Sequence, residues 1–189
     1  MSERNTVVRS LHDLGLAAWF GGSLMGAVAL NGAVEEIPDR SLRLQVANAG
    51  WARWTPWNLA AIGAHLVGGI GLLEANKGRV AAQRGVGAST AAKTALTLAA
   101  LGVTAYSRAL GKKLEQAGGV PVEGAVEPAP DTPSETAKIQ QQLRVCQWLI
   151  PVLTGGIAVL NALHGEQQRP RQQIWGILAK PAGWLRIAR

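Results

Sequence analysis

The sequence predicts an all-α membrane protein: a polytopic membrane four-helix bundle over residues 1–165, followed by a basic C-terminal tail over 166–189. Three observations carry this reading. Long runs of the chain lack charge. Lys and Arg gather on one side of the resulting topology. Tryptophans stand where the runs meet water.

The first span is expected at about residues 14–34, a run of 21 without a charged side chain. A helix rises about 1.5 Å per residue, so about 20 residues cross a hydrocarbon core of about 30 Å. A soluble amphipathic helix would instead show charges on one face at every turn. Arg4 and Arg9, with the small Asn31, Gly32 and Ala33 beyond, imitate a signal peptide. The run is longer than the roughly 7–15 apolar residues of such a peptide, so a retained span is expected. The second span, 54–73, is uncharged and holds His65. The third, 88–107, has an uncharged stretch at 94–107 and requires Lys93 to snorkel toward the headgroups. The fourth, 145–163, is again free of charge. Loops and tail hold the remaining residues, which explains a mean hydropathy of only +0.10.

Four spans put both termini and the 74–93 segment on one side. That side carries 11 Lys and Arg against 4 acids, and the opposite side carries 8 of each. Positive residues mark the cytoplasmic face, so a multi-pass cell (inner) membrane protein with both termini cytoplasmic is expected. Trp51, Trp54 and Trp57 cluster where the second span begins, and Trp148 near the start of the fourth. An aromatic belt at the outer interface accounts for them, with helix packing an equal alternative for Trp57.

The inner loop, with Lys77, Arg79 and Arg84, reads as a short basic turn. The outer 111–137 segment mixes Pro121, Pro128, Pro130 and Pro133 with Glu115, Glu123, Glu127 and Asp131, the composition of an irregular, solvated loop. A helix should restart near Thr132 or Ser134, with Pro133 in its first turn. In the tail, Trp175, Leu178 and Trp184 alternate with Arg171, Lys180 and Arg186. Such a segment suits the headgroup plane and anionic lipid. The basic pI near 10.3 is thereby explained without nucleic acid as a partner. A hydrophobic content of 48% excludes disorder, and one cysteine excludes a disulfide scaffold or cysteine-based zinc site.

Each span carries polar or small residues at helical spacing. His12, Gly15, Trp19, Gly22 and Gly26 share a face of the first; Asn58, Ala61, His65 and Gly69 of the second. Thr90, Thr94, Thr97 and Thr104 mark the third, and Gln147, Thr154 and Asn161 the fourth. Lipid cannot satisfy polar side chains, so Asn58, Thr97, Thr104, Gln147, Thr154 and Asn161 should form an inner polar seam. Gly22 and Gly26 form a GxxxG pattern that permits close helix approach.

His12 and His164 open and close the first and last helices. With Asp13, Glu74 and Asn161 near the same level, they form the candidate ligand cluster for iron, manganese or zinc. The plainer reading is interfacial residues at helix ends. His65, nine residues before Glu74, is expected about 13 Å deeper and unable to share a metal ion with His12. A buried, hydrogen-bonded imidazole is its plain reading; a haem ligand or proton relay is the other. Phosphate loop, nucleophile elbow, HExxH and CxxC patterns are all absent from the sequence, and Cys146 reads as packing.

The run from His12 through Trp19 to Gly21 and Gly22 reads H-x6-W-x-G-G. It resembles the first span of small bacterial membrane families related to the CopD-type copper-resistance proteins, and the similar opening of the membrane protoporphyrinogen oxidase family. There the histidine is associated with haem, so the resemblance implies haem at His12. The whole chain also looks like an uncharacterised bacterial integral membrane protein of the Ala/Gly-rich kind. The expected role is a structural or accessory membrane component without catalysis or cofactor. Its expected associates are the bilayer and a membrane-protein partner or homo-oligomer. The alternatives are a haem- or metal-binding redox protein using His12, His164 or His65, and a small transporter following the seam.

Overall fold

The computed structural model describes residues 5–82 and 86–166, and the side chains within them other than 79–82, 86 and 164–166. The tail at 166–189 therefore lies almost wholly outside the described residues. Four helices make up the fold: α1 (Thr6–Glu35), α2 (Arg40–Ala82), α3 (Val86–Gln116) and α4 (Ser134–Glu166).

Long uncharged runs favour helices because a helix satisfies its own backbone hydrogen bonds. The helices nonetheless outrun the uncharged stretches. α2 has 43 residues, about 65 Å of helix, twice the thickness of a hydrocarbon core. The expected basic loop is thus mostly helix, with only 83–85 between α2 and α3. Among the described residues, three helices are long and apolar enough to cross a membrane: Thr6–Glu35, Arg40–Gly78 and Ser134–Leu163. The expected third span at 88–107 is not among them. Its helix carries Lys93, and alanines and threonines stand where the other spans have large aliphatic residues.

The outward faces are apolar, and several polar side chains are buried among the apolar core. Leu59, Val67 and Ile70 are more than half exposed, whereas His65, Gln147 and Thr154 are buried. An aqueous protein would reverse this, and a membrane protein is expected to show it.

α1 and α2 run antiparallel in close contact. A Cβ added to Gly15 would lie 2.5 Å from the Ala61 carbonyl oxygen and the His65 nitrogen, and one on Gly68 would overlap the His12 backbone and the Val8 carbonyl. Neither helix can yield there, because the obstacle is backbone. Gly22 and Gly26 serve differently from the expected helix approach: each is a notch filled by an indole, Trp54 and Trp51 respectively. These two tryptophans pack inward while Trp57 is 72% exposed, so helix packing accounts for Trp51 and Trp54 and not for Trp57.

A π-helical turn, Gly26–Leu30, interrupts α1. The wider turn takes up one extra residue. Beyond it Asn31 is buried and donates from Nδ2 to Gln147 Oε1 while accepting from Trp51 Nε1 at 3.1 Å, tying α1 to α4 and α2.

The 117–133 segment is irregular but not solvated. Val122, Ala125 and Val126 are buried, packing on Leu44, Leu110 and Leu114 or on Val34 and Ala47. Its acids face outward to Arg40, Arg43 and Arg144, which is how acidic composition coexists with a packed segment. Gln140 of α4 is wholly buried, and its amide contacts the carbonyls of Gly124 (3.0 Å), Ala125 (3.3 Å) and Glu127 (3.5 Å). Asp39 caps α2: Ser41 donates to it from backbone N (2.9 Å) and hydroxyl (2.6 Å), holding the Asp39 carboxyl below its usual range. The segment thereby closes one end of the bundle, the loop end. The opposite end, where α1 and α3 begin and α2 and α4 finish, holds the candidate site.

Candidate functional site: a paired-histidine cavity

His12 and His65 do not lie at different depths. Their rings stack, with centroids 4.1 Å apart and planes 21° from parallel. The depth estimate fails because α2 runs on to Ala82, so the start of α1 lies alongside its interior rather than its end.

Hydrogen bonding fixes both rings. His12 Nδ1 lies 3.0 Å from the His65 carbonyl oxygen, and His65 Nδ1 lies 3.1 Å from that of His12. A carbonyl only accepts, so each Nδ1 must carry the proton. In a neutral imidazole each Nε2 is then an acceptor. The surroundings repeat around the pair: His12 with Gly15, and His65 with Gly68, each glycine fitting the other helix's backbone. Trp19, fully buried, meets His65 edge-on at 6.2 Å.

Beside the pair lies a cavity of about 680 Å³ reached by all four helices. Its deeper wall is apolar: Leu16, Phe20, Leu66 and Leu101, with Thr97 among them. Toward the termini it becomes polar, with Arg9, Asp13, Lys93 and Asn161. Lys93 does not snorkel outward: its ammonium donates to Asn161 Oδ1 of α4 at 3.3 Å.

The other expected site residues divide. Asp13 and Asn161 join His12 at the cavity, whereas Glu74 is exposed and pairs with Lys77. The His164 side chain lies outside the described residues. In the seam, Thr154 is buried and donates to the Ile150 carbonyl at 2.8 Å, Gln147 serves Asn31, and Thr97 faces the cavity. Asn58 Oδ1 and Thr104 Oγ1 are buried without a hydrogen-bond partner, as is Trp19 Nε1. Arg9 and Phe20 are cavity residues that sequence reasoning passed over. Lys93, a charge inside an otherwise apolar span, was the available signal for the cavity.

The H-x6-W-x-G-G run implies a haem at His12. Two axial imidazoles must stand on opposite faces of a macrocycle. His12 and His65 instead lie face on face at 4.1 Å, so a bis-histidine haem does not fit. Gly22 offers no room either, since Trp54 fills its notch. Among the described residues no group of three or more His, Cys, Asp or Glu is placed to hold a metal ion. No protein-family model, curated protein or solved structure matches the chain.

Proposed function

We propose that this chain is a four-span inner-membrane protein with both termini in the cytoplasm. It acts without catalysis, as a binding component that holds a small lipophilic molecule between its helices. The cavity carries this reading. Its volume of about 680 Å³ falls within the roughly 300–1,000 Å³ of small-molecule sites, and apolar walls with a few convergent polar groups are their usual make-up. The placement of its polar residues favours α3 as the fourth crossing, since Thr97 and Lys93 meet the other helices rather than lipid. Anionic lipid at the basic 166–189 tail, and a partner or second copy against the apolar outer faces, belong to the same proposal.

The test has two arms, both on detergent-purified or nanodisc-embedded protein and on intact cells. A neutral lipophilic fluorophore, 1-aminoanthracene, should bind saturably to the wild type and much less to Thr97→Trp, which fills the cavity. Equal binding to both would remove the cavity from the proposal. For topology, single cysteines at Lys77 and Glu115 in a Cys146→Ser background meet a membrane-impermeant maleimide. Glu115→Cys should label in intact cells, and Lys77→Cys only after lysis. Labelling of both from one side would rule out α3 as a crossing.

A further inference from the structure

We infer that the ligand of this cavity is an anionic amphiphile: one acidic headgroup held at Lys93 and an apolar chain lying against the deeper wall. The inference rests on the cavity reading above and adds the chemical class of the occupant.

Three observations lead to it. The first is the charge at the mouth. Arg9, Asp13 and Lys93 line it, two cationic side chains to one carboxylate. The second is the state of Lys93. Its ammonium is half-buried and has three donors, yet its hydrogen bond is to Asn161, and it makes no ion pair with a described carboxylate. A half-buried ammonium is costly unless paired, and an acid headgroup supplies the pairing.

The third observation is the gradient along the bundle. On α1 the lining passes from Arg9 and Asp13 to Leu16 and Phe20; on α3 it passes from Thr90 and Lys93 to Leu98 and Leu101. Each series covers 11 residue steps of helix, about 16 Å. Polar groups thus lie toward the termini on both helices and apolar ones toward the middle. A wholly apolar guest would leave the Lys93 ammonium without an ionic partner. A small anion would leave the depth empty.

The probes are palmitate and its uncharged counterpart hexadecanol, measured by displacement of 1-aminoanthracene from wild type, Lys93→Gln and Lys93→Arg. All three proteins are first compared by thermal unfolding, and Lys93→Arg keeps the charge if Lys93→Gln proves unstable. Palmitate should bind with one site per chain, about tenfold more weakly to Lys93→Gln and nearly normally to Lys93→Arg. Hexadecanol should bind less well and ignore both substitutions. If hexadecanol matches palmitate and Lys93→Gln alters neither, the acidic headgroup is wrong although the cavity stands. If the fluorophore binds but neither probe displaces it, the amphiphile is wrong and the cavity again stands. If the fluorophore itself fails to bind, the cavity reading falls first. Dioleoyl phosphatidylglycerol separates the sources of the acid. Displacement of palmitate by it keeps the inference and names a bilayer lipid; its failure to displace keeps the inference and names a free single-chain acid.

Discussion

At the loop end of the bundle, one buried amide, Gln140, contacts three carbonyls of an irregular segment whose valines and alanines fill the space between helices. At the termini end, the hydrogen bond of Lys93 is to Asn161, and a cavity of about 680 Å³ remains between the same helices. The loop end shows how a Pro- and Glu-rich connection becomes a lid: apolar residues inward, acids outward on arginines, and one side chain satisfying the backbone. The termini end has comparable helices and, among the described residues, no such plug. Closure is therefore supplied by the connecting segment, and the helices alone leave a chamber.

Four substitutions would break or sharpen this comparison. Gly68→Val should have the largest effect, because its side chain must enter the His12 backbone. Overpacking against backbone should cost about 3 kcal/mol, the upper end of its usual range, seen as loss of monodisperse protein on size-exclusion chromatography. Wild-type behaviour would mean that the two backbones do not meet there. Gln140→Leu should follow at about 2 kcal/mol, since buried carbonyls lose their donor. Protease cleavage within 117–133 should rise before the helices melt, and an unchanged digestion pattern would deny Gln140 its role. Thr97→Leu, at the cavity, should stay within about 0.5 kcal/mol in a thermal melt because space exists to receive it. A large loss would show the termini end to be as tightly packed as the loop end.

The smallest effect belongs to Asp39→Asn. The folded protein holds this carboxyl below its ordinary value of 3.8. The carboxylate therefore favours folding above that value, and its contribution disappears as pH falls through the lower folded value. Stability measured from about pH 5 down to pH 2 should lose a little of its acid slope in the variant. An unchanged slope would mean that the Ser41 bonds do not hold Asp39 in solution.

The spans containing Leu16, Ile62 and Ile157 were legible because long uncharged runs have few structural solutions. α3 was harder: Lys93 and a run of alanines and threonines weaken its apolar signal. Its inward polar face was nonetheless visible in the spacing of its threonines. The histidine pair was hidden by register. Judging depth from where each uncharged run stops assumes that helices end where charge begins, and α2 continues nine residues past Leu73 to Ala82. The π-helical turn has no local composition to announce it. The buried part of 117–133 did have a signal, Val122, Ala125 and Val126 among the acids, which the overall acidity obscured.

The reciprocity between α1 and α2 has a further consequence. Val8, His12 and Gly15 stand to Ala61, His65 and Gly68 as two halves of an isologous contact, the kind ordinarily found between identical subunits. The hairpin is thus its own internal control. Any one of these residues can be altered in either half, and an inequality between the paired outcomes reports what the rest of the bundle adds to one side.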